Sequence, residues 1–241
     1  MQLFYAPDSD LSACTLGEEE SWHCARVMRL RAGDPIELTD GRGRFIEGVL
    51  SVVDPRGCRV EFREIREVPL PAPRIHIAIA PTKGSDRFEW FLEKATELGV
   101  TDITPLLCAR SERTAVKPAR LEKVLIAAMK QSESAWLPVL HDAVKFERLT
   151  TTASEEQKFI AWCETGLEAE LINLCNPGTD ALVLIGPEGD FSPEEVETAR
   201  RNGFQPVSLG PKRLRTETAG IAACHTLALK NREPAMPSDG K

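Results

Sequence analysis

Two short segments near the C-terminus contain the residues best suited to chemistry. The first, residues 184–189, reads Leu-Ile-Gly-Pro-Glu-Gly, and its two glycines would let the backbone approach a ligand closely. The second, residues 209–219, reads Leu-Gly-Pro-Lys-Arg-Leu-Arg-Thr-Glu-Thr-Ala. Its cations could neutralise phosphates, and its carboxylate and hydroxyls could orient a substrate or relay a proton. Polar, glycine-containing segments of this kind predict one small-ligand pocket to which both contribute.

A strand is predicted before each segment and would position it, and the first of these strands is a short apolar run of the buried kind. Residues 181–185 lead into the first segment, and residues 205–209 lead into the second. A helix is predicted after each segment: Ser192 and Glu195 form a capping box for one, and the other begins near Thr216. The order strand, loop, helix places both loops at the carboxyl edge of a sheet. A tight turn without a ligand is the alternative interpretation of the first segment alone.

The region from residue 75 onwards alternates strand and helix patterns. Strands are predicted near residues 75–80, 103–107 and 159–163, and helices over residues 86–98 and from Pro118 to about Ser134. Asp86 is expected to cap the first of these helices, and Gly99 is expected to end it. The pattern as a whole predicts an α/β domain with a mostly parallel sheet.

The N-terminal region has a different pattern, with short alternating segments separated by turn signals up to about residue 68. Gly41-Arg42-Gly43 lies between two such segments and lacks a following helix, so it favours a hairpin turn over a nucleotide-binding loop. Three prolines within residues 69–73 stiffen the chain and mark a boundary. We therefore predict a small β domain over residues 1–68, an α/β domain over 74–231 and a loose tail over 232–241.

Composition restricts the possible partners. The chain has 241 residues and a formal net charge of −7, which argues against nucleic-acid binding through an overall positive field. Contact with RNA would have to be local, and arginine clusters at residues 26–31, 42–44 and 212–215 are the candidates. Solvated surface charge is the plainer interpretation of any one cluster.

The cysteines and apolar runs indicate the cellular setting. Seven cysteines are scattered without a pair at zinc-ligand or redox spacing, so no metal site is expected. We expect these cysteines to be reduced thiols and the protein to be cytoplasmic. No apolar stretch reaches the roughly 20 residues that span a bilayer. Residues 1–5 lack both a basic flank and a long apolar run, so secretion is not expected.

Both C-terminal segments resemble the cofactor loops of the SPOUT-class 16S ribosomal RNA (uracil-N3)-methyltransferases. Further matches occur in the family's order: Lys83-Gly84, residues 94–100 (Lys-Ala-Thr-Glu-Leu-Gly-Val), residues 110–113 (Arg-Ser-Glu-Arg) and residues 130–132 (Lys-Gln-Ser). His23 with residues 27–30 and Gly33-Asp34 resembles the family's N-terminal domain. Several ordered matches identify a family far more specifically than any single motif does.

This resemblance implies an α/β fold with a SPOUT-type C-terminal domain, a mostly parallel sheet and a trefoil knot, plus a small N-terminal PUA-like β-barrel. It also implies a homodimer that methylates uracil N3 in the 16S RNA of the small ribosomal subunit with S-adenosylmethionine as methyl donor. The chain departs from the family pattern at Asp190, where a third glycine is usual. It also departs at Glu133-Ser134, where a glycine or asparagine and an arginine are usual.

The resemblance also assigns roles to individual residues. The expected cofactor-binding residues are Cys163, Glu164, Ile185, Gly186, Pro187, Glu188, Gly189, Leu209, Gly210, Leu214, Arg215, Thr218 and Ala219. The expected catalytic residues are Arg215, Thr216, Glu217 and Thr218, and the expected RNA contacts are Arg26, Arg29, Arg31, Lys83, Arg110 and Arg113. In this hypothesis Arg215 stabilises negative charge on the uracil oxygens. A salt bridge or phosphate contact for Arg215, and a helix-dipole role for Glu217, are the alternatives.

Other functions remain possible at this point. A SPOUT methyltransferase could act on transfer RNA or on a ribose 2′-hydroxyl, and a noncatalytic RNA-binding protein could assist ribosome assembly. A Rossmann methyltransferase is disfavoured, because no Gly-x-Gly-x-x-Gly loop follows an early strand of the α/β region. Cofactor binding would separate an enzyme from a scaffold.

Overall fold

The computed structural model describes residues 2–9, 12–163 and 169–232, and these form two compact units. The first unit contains the described residues up to Pro71 together with Lys123–Leu137. The second unit contains Ala72–Glu122 and the described residues from Pro138 onwards. The chain therefore leaves the first unit, enters the second, and returns to the first before it completes the second.

The first unit is built on a mostly antiparallel sheet. Its elements are β1 (Leu3–Tyr5), β2 (Ala13–Thr15), α1 (Glu18–Trp22), a π-helical turn (His23–Val27), β3 (Pro35–Thr39), β4 (Arg44–Val52) and β5 (Arg59–Glu67). Among the described residues the strand order is β1-β3-β4-β5-β2, with β1 parallel to β3 and the other pairs antiparallel. Gly41 and Gly43 adopt positive φ between β3 and β4, which confirms the predicted hairpin turn.

The segment Lys123–Leu137 completes this first unit through backbone hydrogen bonds. The amide of Leu137 donates to the carbonyl of Gly41, and the amide of Gly43 donates to the carbonyl of Ala135, both at 2.9 Å. A Cβ atom on Gly43 would lie only 2.4 Å from the Trp136 ring, so this close approach requires glycine. Trp136 Nε1 also donates to the carbonyl of Pro69 at 3.0 Å.

The second unit alternates strands and helices. Its elements are β6 (Ile75–Ile79), α2 (Ser85–Glu97), β7 (Asp102–Leu107), α3 (Pro118–Gln131, which continues into the first unit), β8 (Val139–Leu140), β9 (Val144–Lys145), α4 (Phe146–Thr152), β10 (Gln157–Ala161), α5 (Leu171–Leu174), β11 (Ala181–Ile185), α6 (Pro193–Arg201), β12 (Gln205–Val207) and α7 (Thr216–Lys230). Within the described ranges the sheet order is β12-β10-β11-β6-β7-β8, β9 pairs with β7, and every pairing is parallel.

Helices cover the central strands of this sheet on both faces. β6 and β11 are buried along their full length, as expected of central parallel strands. On one face α7 packs against α2, and a Cβ atom on Gly220 would lie 2.6 Å from the Phe91 ring. Gly220 therefore lets the two helices approach closely. On the other face a core cluster joins Ile160, Leu184 and Val196.

A buried charge lies at the amino edge of the sheet, where β7 begins. Asp102 Oδ2 accepts a hydrogen bond from Arg74 Nε at 3.1 Å, and Oδ1 lies 2.8 Å from His141 Nε2. Burial alone would raise the pKa of Asp102, but hydrogen bonds from His141, Arg74 and Thr101 hold it well below its usual range. The carboxylate is thus fully ionised and paired at the edge opposite the glycine-containing segments.

The predicted α/β class with an N-terminal β unit is confirmed, and several local predictions need correction. Asp86 is not an N-cap: α2 begins at Ser85, and Asp86 lies in its first turn, where a carboxylate favours the helix dipole. α3 ends at Gln131, because Glu133 adopts a left-handed φ of 51°. The strand expected at 159–163 occupies 157–161. The capping box of Ser192 and Glu195 is confirmed.

Three further expectations from the sequence remain predictions. The structure does not test the domain limits at residues 68 and 74, nor the trefoil knot. The predicted tail beyond Arg232 lies outside the described residues. No helix within those residues combines the length and the apolar character needed to cross a bilayer.

Candidate functional site

A cavity of about 740 Å³ lies at the carboxyl ends of β10, β11 and β12, three neighbouring parallel strands of the second unit. Ligand sites in open parallel sheets characteristically occupy this edge, and the volume suits a small molecule. Its walls are two loops, which we name the glycine loop (Gly186–Phe191) and the basic loop (Ser208–Arg215). The lining residues are Arg87, Ala161–Cys163, Ile185–Glu188, Asp190, Val207–Glu217 and Ala219.

Hydrogen bonds from three other segments fix the glycine loop. Arg110 Nη1 donates to the Gly189 carbonyl at 2.8 Å, and the Lys83 amide donates to Glu188 Oε1 at 3.0 Å. Thr216 Oγ1, in the first turn of α7, donates to the Gly186 carbonyl at 3.1 Å. Glu188 therefore braces the loop instead of presenting a free acid, and the loop is held by residues distant in sequence.

Packing also constrains the glycine loop at its start. A Cβ atom on Gly186 would lie 3.2 Å from the Phe191 ring and also 3.2 Å from the Phe191 amide nitrogen. Phe191 is buried in the core and cannot easily move. Glycine is therefore needed at position 186 for close packing beneath the cavity floor. At Gly189 the nearest atoms would be Arg110 side-chain carbons at 3.5 Å, an ordinary contact.

The basic loop supplies positive charge and an apolar wall. Lys212, Arg213 and Arg215 are exposed, and none of these side chains makes an ion pair with another described residue. Leu209 and Leu214 are half-buried and line the cavity. Gly210 has a φ of 119°, a conformation that other residues rarely adopt. This wall can therefore contact both an apolar ring and an anionic group.

The start of α7 places a buried carboxylate beside the cavity. The Glu217 side chain is 10% exposed, and the Arg87 Nε atom lies 4.0 Å from its Oε1 atom. Arg215 is the N-cap of α7 but makes no side-chain hydrogen bond to the first turn. The first turn of this 15-residue helix thus retains amides for a polar ligand.

Cys163 lies just after the carboxyl end of β10, next to Asp190. Its amide donates to Asp190 Oδ2 at 3.2 Å. Partial burial raises the pKa of the Cys163 thiol, and the charge of Asp190 raises it further, although Arg213 opposes the shift. The thiol is therefore protonated at neutral pH and poorly suited to nucleophilic attack.

The structure brings most of the predicted cofactor and catalytic residues together around this cavity. Gly189 and Thr218 are not among the residues that line it, and Glu164 lies outside the described residues. The predicted relay through Thr216 meets a constraint, because its hydroxyl proton is already donated to Gly186. Arg215 and Glu217 are the predicted catalytic residues whose side chains remain available.

The predicted RNA contacts fall into two groups. Arg26, Arg29 and Arg31 are exposed in the first unit. The residues of the second unit are engaged: Lys83 Nζ pairs with Glu112 at 2.9 Å, Arg110 braces the glycine loop, and Arg113 Nε donates to a backbone carbonyl at 3.0 Å. Lys83 and Arg113 would have to exchange these contacts for RNA.

Sequence reasoning did not identify Arg87 and Asp190 as cavity residues. Arg87 follows β6, and β6 neighbours β11 in the sheet with the same direction, an adjacency that the sequence alone does not specify. The carboxyl ends of parallel neighbours meet at one edge, so residues just after β6 belong near the glycine loop. Asp190 was noted only as a departure from a pattern.

Comparison with known proteins identifies the family. The RNA methyltransferase domain profile matches residues 69–228, and the RNA methyltransferase PUA domain profile matches residues 16–63. The ribosomal RNA small subunit methyltransferase E of Synechocystis is 32% identical over 234 residues, which cover 92% of this chain and 75% of that protein. The chain belongs to the ribosomal RNA small subunit methyltransferase E family. The resemblance derived from the sequence motifs is thereby confirmed.

Two solved structures are similar to this chain over almost its whole length. A probable rRNA-methyltransferase from Porphyromonas gingivalis is 42% identical with a TM-score of 0.90, covering 96% of this chain and 98% of that one. A family member from Neisseria gonorrhoeae, crystallised bound to S-adenosyl methionine, is 28% identical with a TM-score of 0.85 and the same coverage of both chains. The family fold therefore extends over both units.

The two glycines of the glycine loop should respond differently to an added methyl group. We expect Gly186→Ala to lower the free energy of unfolding by about 1–3 kcal/mol, because its Cβ would overpack the Phe191 ring and backbone. Gly189→Ala is the matched control and should stay within about 0.5 kcal/mol of the original protein. Chemical denaturation of the purified variants measures both. Equal effects at the two positions would contradict the packing argument.

Proposed function

We propose that this protein methylates N3 of a uracil in 16S ribosomal RNA, with S-adenosylmethionine as the methyl donor. The observation that carries the proposal is that the glycine loop, the basic loop and the start of α7 meet at one cavity. Family membership supports the ribosomal substrate, and the resemblance of both loops to those of the uracil-N3 enzymes supports the target atom.

The cavity fits S-adenosylmethionine in size and in chemistry. Ile185, Leu209 and Leu214 provide apolar surface suited to an adenine ring, and the backbone of Gly186 and Gly210 also lines the cavity. The amides at the start of α7 can bind the polar end of the ligand. Bound there, S-adenosylmethionine supplies an electrophilic methyl group.

The chain's own residues would position the uracil and handle its imide proton. N3 must lose that proton, and negative charge then spreads onto the adjacent carbonyl oxygens. Arg215 is exposed at the cavity and can stabilise this charge. Glu217, buried beside Arg87, can accept a hydrogen bond or the proton itself. Thr216 acts indirectly, because its hydroxyl holds α7 to the glycine loop.

The first unit is the proposed RNA-docking unit. Arg26, Arg29 and Arg31 are exposed, and their side chains make no ion pair with a described residue. Trp22 is 55% exposed and lies one helical turn before Arg26. Arginines neutralise phosphates and an exposed indole can stack on an unpaired base, so this surface suits RNA despite the acidic chain.

The proposed active form is a homodimer in the cytoplasm. α7 is apolar around much of its circumference, and Leu229 is exposed on it. A helix of this kind usually packs against a second surface. The cysteines at positions 24, 58, 108, 163, 175 and 224 are free thiols, which suits a reducing compartment.

The proposed function predicts a specific product. Small ribosomal subunits from a strain lacking this gene, incubated with the purified protein and labelled S-adenosylmethionine, should yield N3-methyluridine on nucleoside mass spectrometry. Label in transfer RNA or at a ribose 2′-hydroxyl would instead support the alternative methyltransferases. Cofactor binding without methylation of any RNA would support a scaffold.

Substitutions at Arg215 and Glu217 separate chemistry from cofactor binding. We expect Arg215→Ala and Glu217→Gln each to reduce the single-turnover rate by about 10²-fold or more, because each removes stabilisation of charge or proton transfer. S-adenosylmethionine affinity, measured by calorimetry, should change much less. Arg148→Ala, on the exposed face of α4, is the control. Near-normal rates for both variants would refute the catalytic assignment.

Charge reversal on the first unit tests the docking surface. Arg26→Glu combined with Arg29→Glu should weaken RNA binding and flatten its salt dependence, because the slope of log K against log salt reflects the number of phosphates neutralised. Filter binding at several salt concentrations measures the slope. Arg148→Glu reverses one charge outside the surface and should change the slope much less. An unchanged slope in the double variant would argue against the docking surface.

A further inference from the structure

Asp190 has two nonequivalent hydrogen bonds. Its Oδ1 atom accepts from the amide of Phe191 at 2.8 Å, a local bond within the same turn. Its Oδ2 atom accepts from the amide of Cys163 at 3.2 Å, across 27 residues of chain. The second bond joins the loop that follows β10 to the glycine loop that follows β11. Both residues line the cavity.

The backbone at Asp190 explains why glycine is the usual residue there. Its φ is 61°, in the left-handed region where glycine carries no steric penalty and aspartate is among the better tolerated alternatives. The local bond to Phe191 helps aspartate to adopt this conformation. The bond to Cys163 is not needed for that conformation, and a glycine at this position could not make it.

We propose that Asp190 is a positioning residue, whose carboxylate holds the backbone of Cys163 against the glycine loop and so fixes the cavity wall that contacts the cofactor. This inference rests on the proposed function for the identity of that cofactor. Without the carboxylate, the backbone at Cys163 would have to be ordered on each binding event. The ordering would weaken affinity.

The test compares Asp190→Gly with the original protein. Glycine keeps the backbone conformation without strain but removes both hydrogen bonds. In the free protein, amide exchange at Cys163, followed by NMR, should accelerate about tenfold, because the amide loses its acceptor. The dissociation constant of S-adenosylmethionine should rise about tenfold, in the range expected for a lost hydrogen bond to a charged group. The turnover number at saturating cofactor should stay within about twofold.

Two further variants exclude a general structural effect. Asp190→Asn retains one acceptor oxygen, so its affinity should lie between those of the original protein and Asp190→Gly. Glu133→Gly changes a second left-handed residue, with a φ of 51°, that does not line the cavity, and its affinity should be unchanged. A matching loss of turnover in Asp190→Gly would contradict the positioning role.

The two measurements distinguish the ways in which the proposals can fail. If the original protein does not bind S-adenosylmethionine, the proposed function fails, and unchanged exchange at Cys163 in Asp190→Gly would overturn the positioning role by itself. If the original protein binds the cofactor and Asp190→Gly binds it equally well, the proposed function stands and the positioning role is wrong.

Discussion

The cavity depends on one constraint, which is that the glycine loop is held in place by residues from other parts of the chain. The loop has only six residues, and two of them are glycines. Arg110, the Lys83 amide and the Thr216 hydroxyl each supply a donor to it. Arg110 follows β7, Lys83 follows β6, and Thr216 begins α7. The position of the loop therefore depends on the register of the whole parallel sheet.

This arrangement separates residues that shape the cavity from residues that are free to react. Glu188 and Thr216 have the functional groups of acid-base catalysts, yet both are occupied in holding the loop. Arg215 and Glu217 flank Thr216 in sequence and differ from it in this respect. These three residues lie at the start of a helix, where successive side chains point in different directions. Neighbours in the sequence can therefore have different roles, one structural and the next available for chemistry.

Net charge alone would misrepresent this protein. At −7 the chain as a whole repels polyanions, yet the arginines within residues 26–31 and the cations within residues 212–215 make no ion pair with a described residue. Some other cations do pair with carboxylates, as with Arg44 and Asp40 at 2.7 Å and Arg120 and Glu89 at 2.7 Å. The acidic excess therefore lowers nonspecific attraction to nucleic acid and leaves contact to selected surfaces.

Periodicity and turn chemistry were sufficient to predict the parallel sheet, the hairpin at Gly41–Gly43 and the capping box at Ser192, because these depend on local sequence. They were insufficient for Asp86, where a residue suited to capping lies two positions after the N-cap, Gly84. Arg87, Asp190 and the occupied state of Thr216 depend on which strands become neighbours, and a single sequence does not specify that. The family motifs identified the cavity loops but not the bonds that hold them.

The return of the chain to the first unit has a consequence for its synthesis. The sheet of that unit ends at Glu67, but Ala135 and Leu137 supply backbone partners to Gly43 and Gly41. Residues 72–122, with β6, α2 and β7, are made in between. On the ribosome the N-terminal unit therefore cannot reach its final state when its sheet has emerged, and must wait for about 70 further residues, several seconds at ordinary bacterial elongation rates. The connectivity therefore sets an order of assembly, in which the first unit closes only after two of the seven strands of the second unit's sheet, β6 and β7, have been made.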